Sequence, residues 1–192
     1  MKLQILVTVA IVLLVSAGNA GAIADISAGA YYGMDIPVVN DQATSGGMYG
    51  LQAKVSLLSS LGLGLYYSSS SLGKVERTFF EGEPEEYIDS LEGGDVTSYG
   101  LDAYFGTMSF VPGIKFYLVG SVGQWKWERD YTDEVSDTVW GIGGGAEYVL
   151  PFGIGIEGRG TFRTVPTDGG GSLKSFVWFV GANYHFGGLL NK

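Results

Sequence analysis

The chain has 192 residues, enough for one domain, with no cysteine and a single histidine. That excludes disulfide frameworks, thiol chemistry, a cysteine-linked lipid anchor and zinc sites built from clustered Cys or His. A formal net charge of −9 excludes a basic nucleic-acid surface, and 32 glycines without a Gly-X-Y period exclude collagen.

The N-terminus reads as an export signal. Lys2 supplies a positive charge, and 5–15 is apolar except for Thr8. Small residues follow, and both Ala20-Gly21-Ala22 and Ala22-Ile23-Ala24 fit the small-x-small cleavage rule. The apolar run is shorter than the roughly 20 residues a spanning helix needs. We therefore expect a signal peptide over 1–22, cleaved near Ala22 or Ala24, and a β-barrel domain over 23–192.

From Ile26 onward, segments of period two alternate with breakers. Eight strands are expected, over about 26–36, 48–58, 61–71, 95–106, 114–127, 139–150, 154–164 and 173–186. The first, third, fifth and seventh connections (37–47, 72–94, 128–138 and 165–172) read as long and polar. The second (59–60) and sixth (151–153) are tight, and the fourth (107–113) is intermediate. An up-and-down barrel sends odd connections to one end and even ones to the other. Outer-membrane barrels have long loops outside and short turns in the periplasm. The fold class expected is all-β, an eight-stranded antiparallel up-and-down transmembrane β-barrel.

The faces agree. Leu51, Ala53, Val55 and Leu57 oppose Gly50, Gln52, Lys54 and Ser56, and Ile154, Ile156 and Phe162 oppose Glu157, Arg159 and Arg163. The polar faces are built from Gly, Ser, Thr, Gln and Asn with few charges, which suits a narrow lumen better than a solvated surface. Rings recur at both ends of the apolar faces. Tyr49, Tyr99, Trp140, Phe176 and Trp178 form the expected outer girdle; Phe105, Tyr148, Tyr184 and Phe186 form the inner one. The first and fifth strands carry bulky residues in both registers (Tyr31-Tyr32 and Ile114-Lys115-Phe116-Tyr117), so their facing stays open.

These residues also carry a resemblance. Ile26-Ser-Ala-Gly-Ala-Tyr-Tyr-Gly33, Tyr117-Leu-Val-Gly-Ser-Val-Gly123, Gly143-Gly-Gly-Ala-Glu-Tyr148 and the aromatic last strand resemble the small outer-membrane β-barrel family of Gram-negative bacteria, the OmpA-like and opacity-type (porin family) surface proteins. The resemblance covers nearly the whole mature chain. It implies residence in the cell outer membrane, with outer-membrane lipids, lipopolysaccharide and the barrel assembly machinery as partners. Family members usually end on the terminal aromatic, whereas here residues 187–192 follow Phe186.

Two places could carry chemistry. Acidic residues crowd the third connection and its borders (Glu76, Glu81, Glu83, Glu85, Glu86, Asp89, Glu92, Asp95) and the fifth (Glu128, Asp130, Asp133, Glu134, Asp137). The bland reading is a solvated acidic rim; the sharper one is an extracellular ligand or divalent cations. In the expected lumen, Lys54, Asp102, Glu147, Glu157, Arg159 and Arg163 should form a paired charge network, because confined charges need partners. His185 falls at the turn end of the last strand, where a lumen-facing structural residue is expected rather than a catalyst. No cofactor, metal or catalytic residue is assigned. The function expected is a non-enzymatic barrel acting in membrane integrity or surface interaction, including adhesion. The alternative is a narrow porin-like channel for ions or small solutes.

Overall fold

A computed structural model of the chain describes residues 25–39, 44–58, 60–73, 75–79, 87–91, 93–106, 112–129, 132–166 and 171–186. The expected signal peptide and the tail 187–192 lie outside them. Ten strands are described: β1 (Asp25–Val39), β2 (Thr44–Leu58), β3 (Leu61–Gly73), β4 (Val75–Phe79), β5 (Tyr87–Leu91), β6 (Gly94–Gly106), β7 (Gly113–Arg129), β8 (Thr132–Val149), β9 (Ile154–Pro166) and β10 (Ser172–His185). Eight of them close into an antiparallel barrel in the order β1-β10-β9-β8-β7-β6-β3-β2, and β4 and β5 pair with each other as a separate hairpin.

The eight barrel strands are those read from the sequence, but the connections differ. The third connection contains the β4–β5 hairpin. The fifth, read as a loop over 128–138, is largely strand: β7 continues to Arg129 and β8 starts at Thr132. Polar residues there do not interrupt a two-residue period, so the ladder runs on past the apolar part of each strand. The tight turn before β9 is set by Gly153, whose φ of 89° favours glycine. The Leu150 amide donates to Ile154 at 2.8 Å, and the Gly153 amide donates to Leu150 at 3.0 Å.

The apolar faces point outward. Ile142 is 72% exposed, Leu118 65%, Phe116 65% and Leu51 61%, within a continuous exposed apolar band around the barrel. A soluble monomer rarely exposes more than a few hundred Å² of contiguous apolar surface. The girdle residues Tyr49, Phe105, Trp140, Tyr148, Trp178, Tyr184 and Phe186 are all exposed on this outer face. Tyr99 and Phe176 are half-buried, the latter against Phe162, whose ring centroid is 4.8 Å away. The registers left open are now set: Tyr32, Ile114 and Phe116 point out, while Tyr31, Lys115 and Tyr117 are buried inside.

The abundance of glycine follows from the interior. Four tyrosines (Tyr31, Tyr66, Tyr104 and Tyr117) are packed inside the barrel. Tyr31 pairs with Gly50 on β2 and Gly181 on β10, and Tyr117 pairs with Gly145 on β8. A Cβ at Gly50 or Gly145 would overlap the adjacent ring, whereas one at outward Gly158 would meet nothing. Rings thus lie flat over neighbouring backbone that has no side chain. Gly145→Val should therefore destabilise the barrel by about 1–3 kcal/mol, the usual range for overpacking. Gly158→Ala should stay within about 0.5 kcal/mol, as at a site with no close contacts. Urea unfolding of the barrel in lipid vesicles, followed by tryptophan fluorescence, checks both; equal effects would count against the ring-on-glycine account.

Candidate functional site

The lumen is stratified along the barrel axis. At the turn end, His185 on β10 lies between two carboxylates, with Nδ1 2.5 Å from Asp25 of β1 and Nε2 3.0 Å from Glu147 of β8. The Lys115 Nζ is 3.9 Å from Asp25. A small cavity of about 10 Å³ opens here, lined by these residues with Lys54, Ser27, Ser56 and Tyr117. That is room for about one water molecule.

Above it, Glu157 is the hub. Completely buried, it receives an ion pair from Lys54 Nζ at 2.7 Å and a hydrogen bond from the Asn183 amide at 2.8 Å. The Gln52 amide and the Tyr117 hydroxyl also donate to it. Asn183 donates to Glu147 as well, at 2.6 Å, joining hub and turn-end layer. An isolated buried carboxylate would be severely penalised; three neutral donors and a cation offset that cost.

The third layer is centred on Asp102. Arg159 Nη1 lies 2.6 Å from it, while the Ser121 and Tyr104 hydroxyls donate at 2.6 and 2.9 Å. The Arg159 guanidinium also donates to Tyr104, Ser121 and Thr161, and its Cζ lies 5.6 Å from the Phe179 ring centre. Strands β6, β7 and β9 are tied together here.

The structure thus brings Lys54, Glu147 and Glu157 into one ion cluster and Asp102 and Arg159 into another. Arg163 departs from the expectation. Buried, it makes no ion pair among the described residues; its guanidinium lies 5.5 Å from the Tyr66 ring centre, and its Nε has no hydrogen-bond partner. The Tyr66 face adds to the attraction between Arg163 and the buried Asp35 carboxyl, which lies beyond ion-pair distance. Asp25, Lys115 and His185 belong to the interior charges too. Lys115 was hidden by the two-register pattern of its strand, and Asp25 by its place ahead of the first alternating residue.

The loop end was not foreseen. Leu72, Val96, Trp125, Trp127, Val139 and Val165 converge inside the barrel as a buried apolar cluster, with Leu173 packed against it. The Trp127 indole donates to the Gly93 carbonyl at 2.5 Å. Beside this cluster is a cavity of about 20 Å³ lined by Asp35, Pro37, Trp125, Lys174, Ser175 and neighbours. Among the described residues no group of three or more His, Cys, Asp or Glu is arranged to hold a metal. Of the acidic residues, Asp95 and Glu128 are exposed on strands and Asp137 is half-buried. Glu76 and Asp89 fall in the β4–β5 hairpin, and Asp133 and Glu134 in β8. Glu81, Glu83, Glu85, Glu86, Glu92 and Asp130 lie outside the described residues.

Several solved structures have this architecture, two of them as follows. The N-terminal β-barrel domain of Pseudomonas aeruginosa OprF matches with a TM-score of 0.57 and 13% identity, over 85% of this chain and 99% of that one. Neisserial surface protein A matches with a TM-score of 0.57 and 13% identity, over 83% and 95% of the two chains. The fold is that of the small outer-membrane β-barrels. No protein-family model matches the sequence, and no curated protein does. At such identities the likeness speaks for the fold, and the interior has to be read from its own residues.

Removing one member of a buried pair should cost more than removing both. Asp102→Ala leaves the Arg159 guanidinium unpaired and should destabilise the barrel by about 3–5 kcal/mol, whereas the double change Asp102→Leu with Arg159→Met should recover part of that loss. Denaturant midpoints in vesicles give the comparison. A double variant as unstable as the sum of the two single changes would refute the pairing.

Proposed function

We propose that this chain is a non-enzymatic outer-membrane barrel with a sealed lumen, acting in membrane integrity and surface interaction rather than in transport. The outward apolar band with rings near both ends suits a lipid environment, lipopolysaccharide in the outer leaflet included. From Trp140 to Tyr148 a tilted strand covers about 20 Å of membrane normal, close to the apolar band of roughly 25 Å. The short turns, the start of β1 and the end of β10 then lie on the periplasmic side, from which the barrel assembly machinery inserts such chains.

The observation that carries the reading is the filled interior. Two charge clusters cross the lumen and an apolar cluster closes its loop end; among the described residues, cavities of only about 10 and 20 Å³ lie beside them. A conducting path needs a continuous wet route, and this interior favours the sealed barrel over the narrow channel. Catalysis finds no support either, because both nitrogens of the one histidine already face carboxylates. The acidic rim is read as the solvated, interacting surface, with divalent cations as its simplest ligands.

In cells, the protein should fractionate with outer membranes and migrate faster on gels before boiling than after. In planar bilayers the purified barrel should show no unitary conductance steps. Replacing Glu157 and Arg159 together by Ala should introduce a leak. Steady conductance by the unaltered chain, unchanged when Arg159 is reversed to Glu, would reject the sealed lumen.

A further inference from the structure

The turn-end layer joins strands that are not all neighbours in the ladder. His185 of β10 reaches Glu147 of β8 across β9, because the β9 residue lying between them is Gly155. A Cβ at Gly155 would overlap both the Glu147 carboxylate and the His185 ring. The other ring nitrogen meets Asp25 of β1, on the far side of the seam where the last strand closes on the first. At this end the backbone of that seam reaches Ser27↔His185, and the Phe186 amide donates to the Ile26 carbonyl at 2.7 Å. One imidazole therefore fastens β8, β10 and β1 together over the bare backbone of β9.

An ionised carboxylate only accepts hydrogen bonds, and a neutral imidazole has one N–H to give. Either neutral tautomer would set a bare ring nitrogen against a carboxylate oxygen, whereas the doubly protonated ring donates to both. The surrounding charges point the same way. Asp25 on β1, Glu147 on β8 and Glu157 on β9 face this layer, against Lys54 on β2 and Lys115 on β7. β3 carries no charged residue, and Asp102 of β6 is matched by Arg159 one layer up. Three buried acids thus stand against two lysines, and only a cationic His185 balances them. We infer that His185 is a proton-operated latch on the turn end of the barrel. As a cation it holds the seam closed at neutral pH. When it loses its second proton in alkaline solution, Asp25 and Glu147 are left without their shared partner and the seam loosens there. Imidazole is the side chain suited to such a change near neutrality. The cavity of about 10 Å³ beside it, with room for about one water molecule, gives the proton a way out. This deepens the sealed-lumen reading and rests on it, since the Asp102 layer and the apolar cluster stay shut above the latch.

The sequence has a single histidine, so its ring can be read alone by nitrogen NMR. The test uses the full chain in lipid nanodiscs, without added histidines, between about pH 7 and about pH 9. An ordinary imidazole is mostly neutral across that window, while carboxylates stay ionised and lysines charged. Two ring N–H signals are expected at the lower pH and one at the higher. Over the same interval amide exchange in 25–29 and 183–186 should rise at least about tenfold more than exchange around Arg159, which shares the barrel but not the latch. Asp25→Asn leaves two acids against two lysines. It should give a ring with one proton throughout and exchange that no longer responds to pH. His185→Gln, which keeps a donor and an acceptor but takes no charge, should flatten the response as well. A single ring proton already at about pH 7 would overturn the latch. So would two protons retained to about pH 9, which would mark a fixed ion, or loss of the proton with no change in exchange. Steady conductance at neutral pH would defeat the sealed lumen while leaving the ring signals as expected, so the two readings fail separately.

Discussion

Closing eight strands on themselves leaves an interior only as wide as the side chains that fill it. Every other inward position must then be chosen against its neighbours across the lumen, and the rest of the molecule follows from that constraint. Rings of Tyr31 and Tyr117 can enter only because Gly50, Gly181 and Gly145 yield space beside them. Charges can enter only because partners arrive from other strands at the same height, as Lys54 of β2 does for Glu157 of β9. The outer surface is under the opposite pressure, since lipid accepts nearly any apolar side chain and asks for rings only near the interfaces.

Much of this was legible in the sequence, and the reason is the strict period of two. In β2, β3, β6, β8, β9 and β10 one face is apolar and the other small or polar, so side-chain direction could be read from single residues such as Leu51 and Gln52. The same rule failed in β1 and β7, where bulky residues fill both registers. Tyr31 and Tyr32 look alike in sequence; their roles are separated by what faces them, Gly50 and Gly181 for the buried ring and lipid for the other.

The least legible parts were the two ends of the lumen. Apolar Val96, Trp125, Trp127 and Val165 point inward at the loop end, opposite to the rule that holds lower in the barrel. Nothing local marks that reversal, because it depends on how far each strand rises above the apolar band. For the same reason the last two residues of β7 and the first seven of β8 read as a loop. Acidic and hydroxylated residues resemble a loop in composition, while their pairing is set by a neighbouring strand. Arg163 is a smaller instance: its charge called for an ion pair, and the fold supplies the face of Tyr66 with Asp35 at longer range.

The interior charges also constrain the order in which the barrel can be made. Lys54 and Glu157 are 103 positions apart, and Asp25 and His185 are 160 apart. These ionic partners lie on strands far apart in the chain, so a sheet that has formed only half its strands would carry unpaired charges on the side not facing lipid. Such intermediates tolerate a watery cleft but not a membrane interior. Closure of β1 against β10 and neutralisation of the lumen are then one event, and the ions act as a lock that only the complete barrel can turn. The charge layers that fill this lumen would thus penalise every insertion that stops short of eight strands.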